Sequence, residues 1–219
     1  AAWTQPTEDP SAGRWAVSAA YTNQSGADST EGLFGEDGKS ALLTKLEYGT
    51  PRWQVSGAVA LKENGWSDSY FTTAKGNSRS AAGSETAVGL RAYWKPETTG
   101  ALPEVQIGYD VSNIDDAPTG YADEASGWMV GLGWQDLLID GNRGGLAFGS
   151  RISATNIVGG GEDESEDNNV WEAYYTFKIN DGVSITPAVF GGSDVDTDDS
   201  TGLSIGDVNG AVLLTEFRF

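Results

Sequence analysis

The chain contains neither cysteine nor histidine. Without cysteine there is no disulfide framework, no thiolate metal centre and no thiol nucleophile. Without histidine the commonest proton shuttle near neutral pH and the commonest metal ligand are both missing, which removes Ser-His-Asp hydrolases and His-ligated zinc enzymes. No apolar run approaches the roughly 18 residues of a membrane-spanning helix. That absence excludes a helical span but not a span by strands, whose alternating pattern keeps mean hydropathy low. Basic residues are scarce: 13 Lys and Arg against 32 Asp and Glu give a net charge of -19, which repels phosphate, so nucleic acid is not an expected partner. The acidic residues are too numerous for any glycosidase-like pair to stand out. With no phosphate-cradling glycine loop or cofactor fingerprint, neither an enzyme nor a cofactor is expected.

Alternation is what the sequence does have. The 219 residues, with 30 Gly, 8 Trp and 8 Tyr, read as ten segments with a two-residue side-chain period: 14–22, 41–49, 52–62, 85–95, 104–111, 127–135, 146–155, 170–179, 183–191 and 208–219. Each is longer than the usual strand of about five or six residues and matches the length a tilted strand needs to cross a bilayer. The final segment shows the pattern well. Ala211, Leu213, Thr215, Phe217 and Phe219 share one face, while Glu216 and Arg218 lie on the other.

The connections sort by length. Residues 50–51 and 180–182 are tight turns, the latter ending in an Asp-Gly pair whose tolerance of positive φ suits a hairpin. Links 96–103 and 136–145 are of medium length. Between them fall longer polar links at 23–40, 63–84, 112–126, 156–169 and 192–207. Strict alternation of short and long is the habit of outer-membrane barrels, with tight periplasmic turns and extended external loops. The predicted fold is therefore all-β: a single domain, 1–219, forming a transmembrane antiparallel up-and-down β-barrel of ten strands, with 1–13 as a periplasmic lead-in or the remnant of a preceding strand. Ala1-Ala2-Trp3 is not a basic-apolar leader, so any secretory signal is expected to have been removed or to lie upstream.

Two faces follow from the phase of each segment. Trp53, Trp94, Trp128, Trp134 and Trp171 stand near strand ends on the apolar face, where interfacial aromatics belong. The opposite face carries charges of both signs, too many to desolvate in a packed core. Its expected pore-lining set is Lys45, Glu47, Glu85, Arg91, Asp110, Arg151, Glu172, Lys178, Glu216 and Arg218, with Arg91, Arg151, Lys178 and Arg218 facing Glu85, Asp110, Glu172 and Glu216 in a transverse field. Pro187 falls mid-segment on the apolar face, and a β-bulge is expected there because proline removes a ladder donor. Two acidic clusters lie in long links. The run 162–167 reads as a solvated loop; Asp194, Asp196 and Asp198 form a weak calcium candidate, since Asp199 stands where a calcium loop needs Gly and Ile205 where it needs Glu.

The stretch 176–190, Thr-Phe-Lys-Ile-Asn-Asp-Gly-Val-Ser-Ile-Thr-Pro-Ala-Val-Phe, with the closing Thr215-Glu216-Phe217-Arg218-Phe219, resembles the carboxy-terminal hairpin and last strand of cyanobacterial outer-membrane porins of the carbohydrate-selective or iron-uptake type. The specific match covers about the last fifth of the chain. The resemblance implies an outer-membrane location, contact with lipid, passage of small solutes or ions, and Phe219 as the signal read by the barrel-insertion machinery. It is also compatible with a homotrimer. Family members usually carry a surface-layer-homology domain and more strands, so the chain reads either as part of a larger, sixteen-strand type of barrel or as a reduced ten-strand relative. A non-conducting barrel whose acidic loops serve adhesion or partner binding is the competing reading, and an acidic soluble sandwich a third.

Overall fold

The structure, a computed structural model, describes residues 1–24, 26–27, 32–34, 38–66, 84–160, 168–197 and 204–218. Twelve strands make one antiparallel sheet: β1 (Ala2–Thr4), β2 (Arg14–Asn23), β3 (Ser40–Thr50), β4 (Trp53–Glu63), β5 (Ser84–Trp94), β6 (Glu104–Asp115), β7 (Ala122–Gln135), β8 (Arg143–Ser150), β9 (Ser153–Ile157), β10 (Asn169–Asn180), β11 (Val183–Thr197) and β12 (Ser204–Phe217). Each pairs with its neighbour in sequence, except that β8 bonds to β10 while β9 continues along β7. All ten predicted segments are present. The count differs for two reasons: Ala2–Thr4 forms an additional strand against 16–18, and segment 146–155 is broken at Arg151 and Ile152. Register explains the break. Met129 faces Gly149, but Ser126 faces Ser153, so one extra residue enters between them. Among the described residues no pairing joins β12 to β1 or β2, and the sheet is open at both edges rather than closed into the expected barrel.

The ladder carries the alternation from strand to strand. Val17 faces Leu46, Tyr48 faces Val55, Val59 faces Val88, Leu90 faces Tyr109, and Ile107 faces Val130. The apolar face so formed lies exposed, with Val55, Leu90, Ile107 and Leu213 all near or above half of full exposure. The few buried apolar residues are mainly alanines, with Ile114 and Ile157. Total accessible area is 13049 Å², whereas a water-soluble monomer of this mass would show about 9,600 Å². The arrangement is inside-out by the standard of soluble proteins. Strands of eleven residues extend about 36 Å, and a tilt near 40° brings that to about 28 Å, close to the ~25 Å apolar band of outer-membrane barrels.

Aromatic side chains gather toward both ends of the apolar face. At the short-turn end Trp15 packs on Tyr48, with ring centroids 4.6 Å apart, Tyr48 meets Trp53 edge-on at 5.7 Å, and Trp53 faces Trp94 in register. At the other end Trp128 meets Phe148 at 5.4 Å. Trp15 and Tyr48 were not part of the expected girdle.

Three local expectations need correction. Pro187 sits in unbroken register opposite Leu213, and the register toward β10 is the same on both sides of it, so there is no bulge. The ladder omits pairs beside it, and there Thr176 and Thr186 join their hydroxyls at 2.9 Å. A side-chain bond thus stands where proline has no donor. Gly182 is absent from the glycines with positive φ; the Asp181-Gly182 turn is closed instead by the Gly182 amide bonding to Asn180 Oδ1 at 2.8 Å, with a register shift between Lys178 and Asn180. The long links are also shorter than they read: β6 runs on to Asp115, β7 starts at Ala122, and β11 and β12 extend to Thr197 and back to Ser204. Asp194 and Asp196 thus lie in β11 rather than a loop, and Asp198 and the acidic run 162–167 fall outside the described residues.

Several glycines face a ring across the ladder. A Cβ on Gly145 would overlap Tyr174, whereas one on Gly133 would meet nothing within 4 Å. Gly145→Val is expected to cost about 1–3 kcal/mol by displacing that ring, and Gly133→Ala to stay within about 0.5 kcal/mol; urea unfolding in detergent micelles measures both.

Candidate functional site: the charged face of the sheet

The face opposite the exposed apolar surface carries ion pairs, some between adjacent strands and some within one strand or its turn. Arg91 on β5 lies across from Gly108 and Asp110 on β6 across from Gly89. With no side chain directly opposite either one, the two reach each other diagonally, Arg91 Nη2 to Asp110 Oδ2 at 2.6 Å. The guanidinium also donates to the backbone oxygens of Leu90 and Tyr109, at 2.8 and 3.2 Å. Lys45 and Glu47, on the same side of β3, pair at 2.7 Å, and Gln54 donates to Glu47. These groups surround a depression of about 280 Å³ that Ser56 and Gln106 also line.

A second cavity, of about 390 Å³, lies at the short-turn end among Asn142, Arg143, Thr176, Lys178, Glu216 and Arg218. Arg218 Nε bonds Glu216 at 2.8 Å and Lys178 Nζ bonds Asp181 at 2.7 Å. Asn142, 3% exposed, fixes the local backbone: its side-chain oxygen accepts from the Lys178 amide at 2.9 Å and its nitrogen donates to Tyr175 at 3.1 Å. In the β7–β8 turn the Asp136 carboxylate accepts from the Gly141 amide at 2.8 Å. The Thr99 hydroxyl, then that amide, hold its pKa below the ordinary Asp value.

At the long-link end the same face is buried. Lys62 and Glu85 pair at 3.1 Å with 3% and 4% of their side chains exposed, Ser112 donates to the same carboxylate oxygen, and Ala87 and Ile114 are buried beside them. A pair this dry stands on its mutual bonding, because removing either member leaves a desolvated charge.

The fold is shared with known structures. The chain is similar to Salmonella typhi OmpF, in its complex with daunomycin, with a TM-score of 0.59 and 12% sequence identity over 93% of this chain. It spans 56% of that chain's length. No protein-family model and no curated protein sequence matches. The porin-like architecture is therefore shared, while the cyanobacterial family is a resemblance of short motifs only.

Of the expected charged residues, Lys45, Glu47, Glu85, Arg91, Asp110, Glu172, Lys178 and Glu216 take the phase of this face in the ladders. Arg218 follows β12 and bonds Glu216. Arg151 is an exception, falling in the break between β8 and β9, where its amide donates to Asn168. Within the sheet Arg91 bonds Asp110, Arg218 bonds Glu216 and Glu85 bonds Lys62. Phe219 lies outside the described residues. Sequence reading had no route to the Lys178–Asp181 pair, which depends on the bend of the turn, or to Asn142.

Lys62→Met is expected to destabilise by about 3–5 kcal/mol, and the double change Lys62→Met with Glu85→Leu by clearly less, because it does not leave the Glu85 carboxylate buried without Lys62; denaturant midpoints of the set decide it. A carboxyl whose pKa is depressed by folding supports its turn above the unfolded value and releases it as pH falls through the folded one. Amide exchange at Gly141, corrected for its intrinsic pH dependence, is therefore expected to lose protection below the ordinary Asp range, and Asp136→Asn to flatten that loss.

Proposed function

We propose that the chain forms the wall of an outer-membrane channel of the porin type, through which small hydrophilic solutes or ions diffuse. The observation that carries this reading is the pairing of an exposed apolar face, ringed by Trp and Tyr, with a face of ion pairs on one up-and-down sheet. Water penalises the first surface and hydrocarbon the second, so the sheet fits a bilayer with lipid on one side and an aqueous lumen on the other. The likeness to the OmpF fold supports it. In hydrocarbon the open edges of β1 and β12 must each find strand partners, from each other or from further strands, to close the wall.

Selectivity in this reading belongs to wall electrostatics. The partly buried pairs Lys45–Glu47 and Arg91–Asp110 set local fields, and the acidic excess of the whole chain favours cations at the mouth. A competing reading has one observation in its favour: Lys62, Glu85 and Ser112 are buried on the polar face, as they would be if the lumen were closed at that end and the acidic loops served as a partner-binding surface.

Planar-bilayer recording separates the two. The porin reading expects discrete ohmic conductance steps, and a reversal potential in a KCl gradient that shifts toward K⁺ when Arg91→Gln frees Asp110. Inserted, folded protein that carries no current would leave the closed-barrel reading standing.

A further inference from the structure

On the charged face of the sheet five carboxylates have a cationic partner: Glu47 with Lys45, Glu85 with Lys62, Glu104 with Lys95, Asp110 with Arg91 and Glu216 with Arg218. Glu172 on β10 has none among the described residues. Its cross-strand neighbours are Ala147 on β8 and Phe190 on β11. The next row along the same face is Met129, Gly149, Val170, Gly192 and Val208, paired in turn from β7 to β12. A carboxylate without a cation is thus set among small and apolar side chains, on a face where five others are paired with one.

These residues outline a depression. Glycines at 149 and 192 and Ala147 leave the sheet surface low, and Met129, Val170, Phe190 and Val208 stand around it, Phe190 folding across the ladder over Gly210. The cavity measures about 420 Å³, within the ~300–1,000 Å³ typical of small-molecule sites, which are likewise mainly apolar with a few fixed polar groups. Phe190 and Val208 are 39% and 40% exposed, with apolar surface still to be covered.

We infer that this depression is a binding site for a small organic cation with an apolar body, its ammonium group on Glu172 and its hydrocarbon or aromatic part against Phe190, Val208 and Met129. Charge complementarity selects the occupant. An anion meets an unpaired carboxylate, a neutral sugar can hydrogen-bond that exposed carboxylate but leaves its charge uncompensated and covers apolar surface with hydroxyls, and an inorganic cation gains nothing from the apolar walls. An aryl-alkyl ammonium satisfies all three: it neutralises Glu172, buries the exposed apolar area and can place its cation against the Phe190 ring. The inference rests on the porin reading only in that the face must be wet. It names the class of solute that lingers there.

The probe is phenethylammonium, titrated by calorimetry into the chain in detergent micelles, with empty micelles subtracted and 2-phenylethanol and KCl as the neutral and apolar-free comparisons. Phenethylammonium is expected to bind at least tenfold more tightly than 2-phenylethanol. Glu172→Gln is expected to weaken it at least tenfold and Ala147→Leu, which fills the depression and keeps the charge, to weaken it comparably. Glu8→Gln, a carboxylate elsewhere on the chain, is expected to leave it unchanged. Binding that survives Glu172→Gln, or that 2-phenylethanol equals, overturns the proposal. Bilayer recordings keep the two claims apart: Glu172-dependent binding by a chain that never conducts sinks the channel and upholds the site, and open channels without such binding do the reverse.

Discussion

The side-chain period of two, held in phase through the body of the sheet, is the constraint from which the rest of the structure follows. From β2 to β12 the register keeps Val17, Leu46, Val55, Val88, Tyr109, Val130, Phe148, Trp171, Val189 and Ala211 on one face. A slip of one residue in β5 would turn Arg91 into the apolar surface, and an Arg at a bilayer midplane costs about 2–4 kcal/mol. Hydrogen bonding alone would tolerate that slip. The faces do not, so under the channel reading register is fixed by the solvent on each side more than by the backbone.

Departures from regularity fall where that constraint relaxes. The extra residue between β8 and β9 lies next to the buried group of Ala122, Ala154 and Ile157, where the sheet is covered and a displaced face is less costly. The shift at Lys178 and Asn180 and those beyond Gly192 are at strand ends. Proline in the middle of β11 causes none, because the two threonines beside it bond across the gap.

The strands were legible in the sequence because each carries its own alternation. Their ends were not, since Val195 between Asp194 and Asp196 is the one large apolar residue from Gly191 to Thr197, too little to extend the period. Arg151 had the right phase by counting, but one inserted residue undoes counting. For the charged face, the strands revealed which residues share it and gave no pairing. Arg91 reaches Asp110 past glycines that stand opposite both in the β5–β6 ladder, a relation between positions about twenty residues apart that requires the register to be known. Glu172 looked like any other acid in a balanced set; its isolation emerges only once its neighbours' bonds are assigned.

Nearest-neighbour order also bears on how such a wall is made. Each long strand pairs with those before and after it, and the links at one end are as short as Pro51-Arg52 and Asp181-Gly182. Closing a link ten times longer costs about 2 kcal/mol more in chain entropy, so the hairpins β3–β4 and β10–β11 are the cheapest units to nucleate. Zipping can then spread outward from two seeds, each new strand docking on a formed edge, so the strands farthest from both seeds are the last to join the sheet.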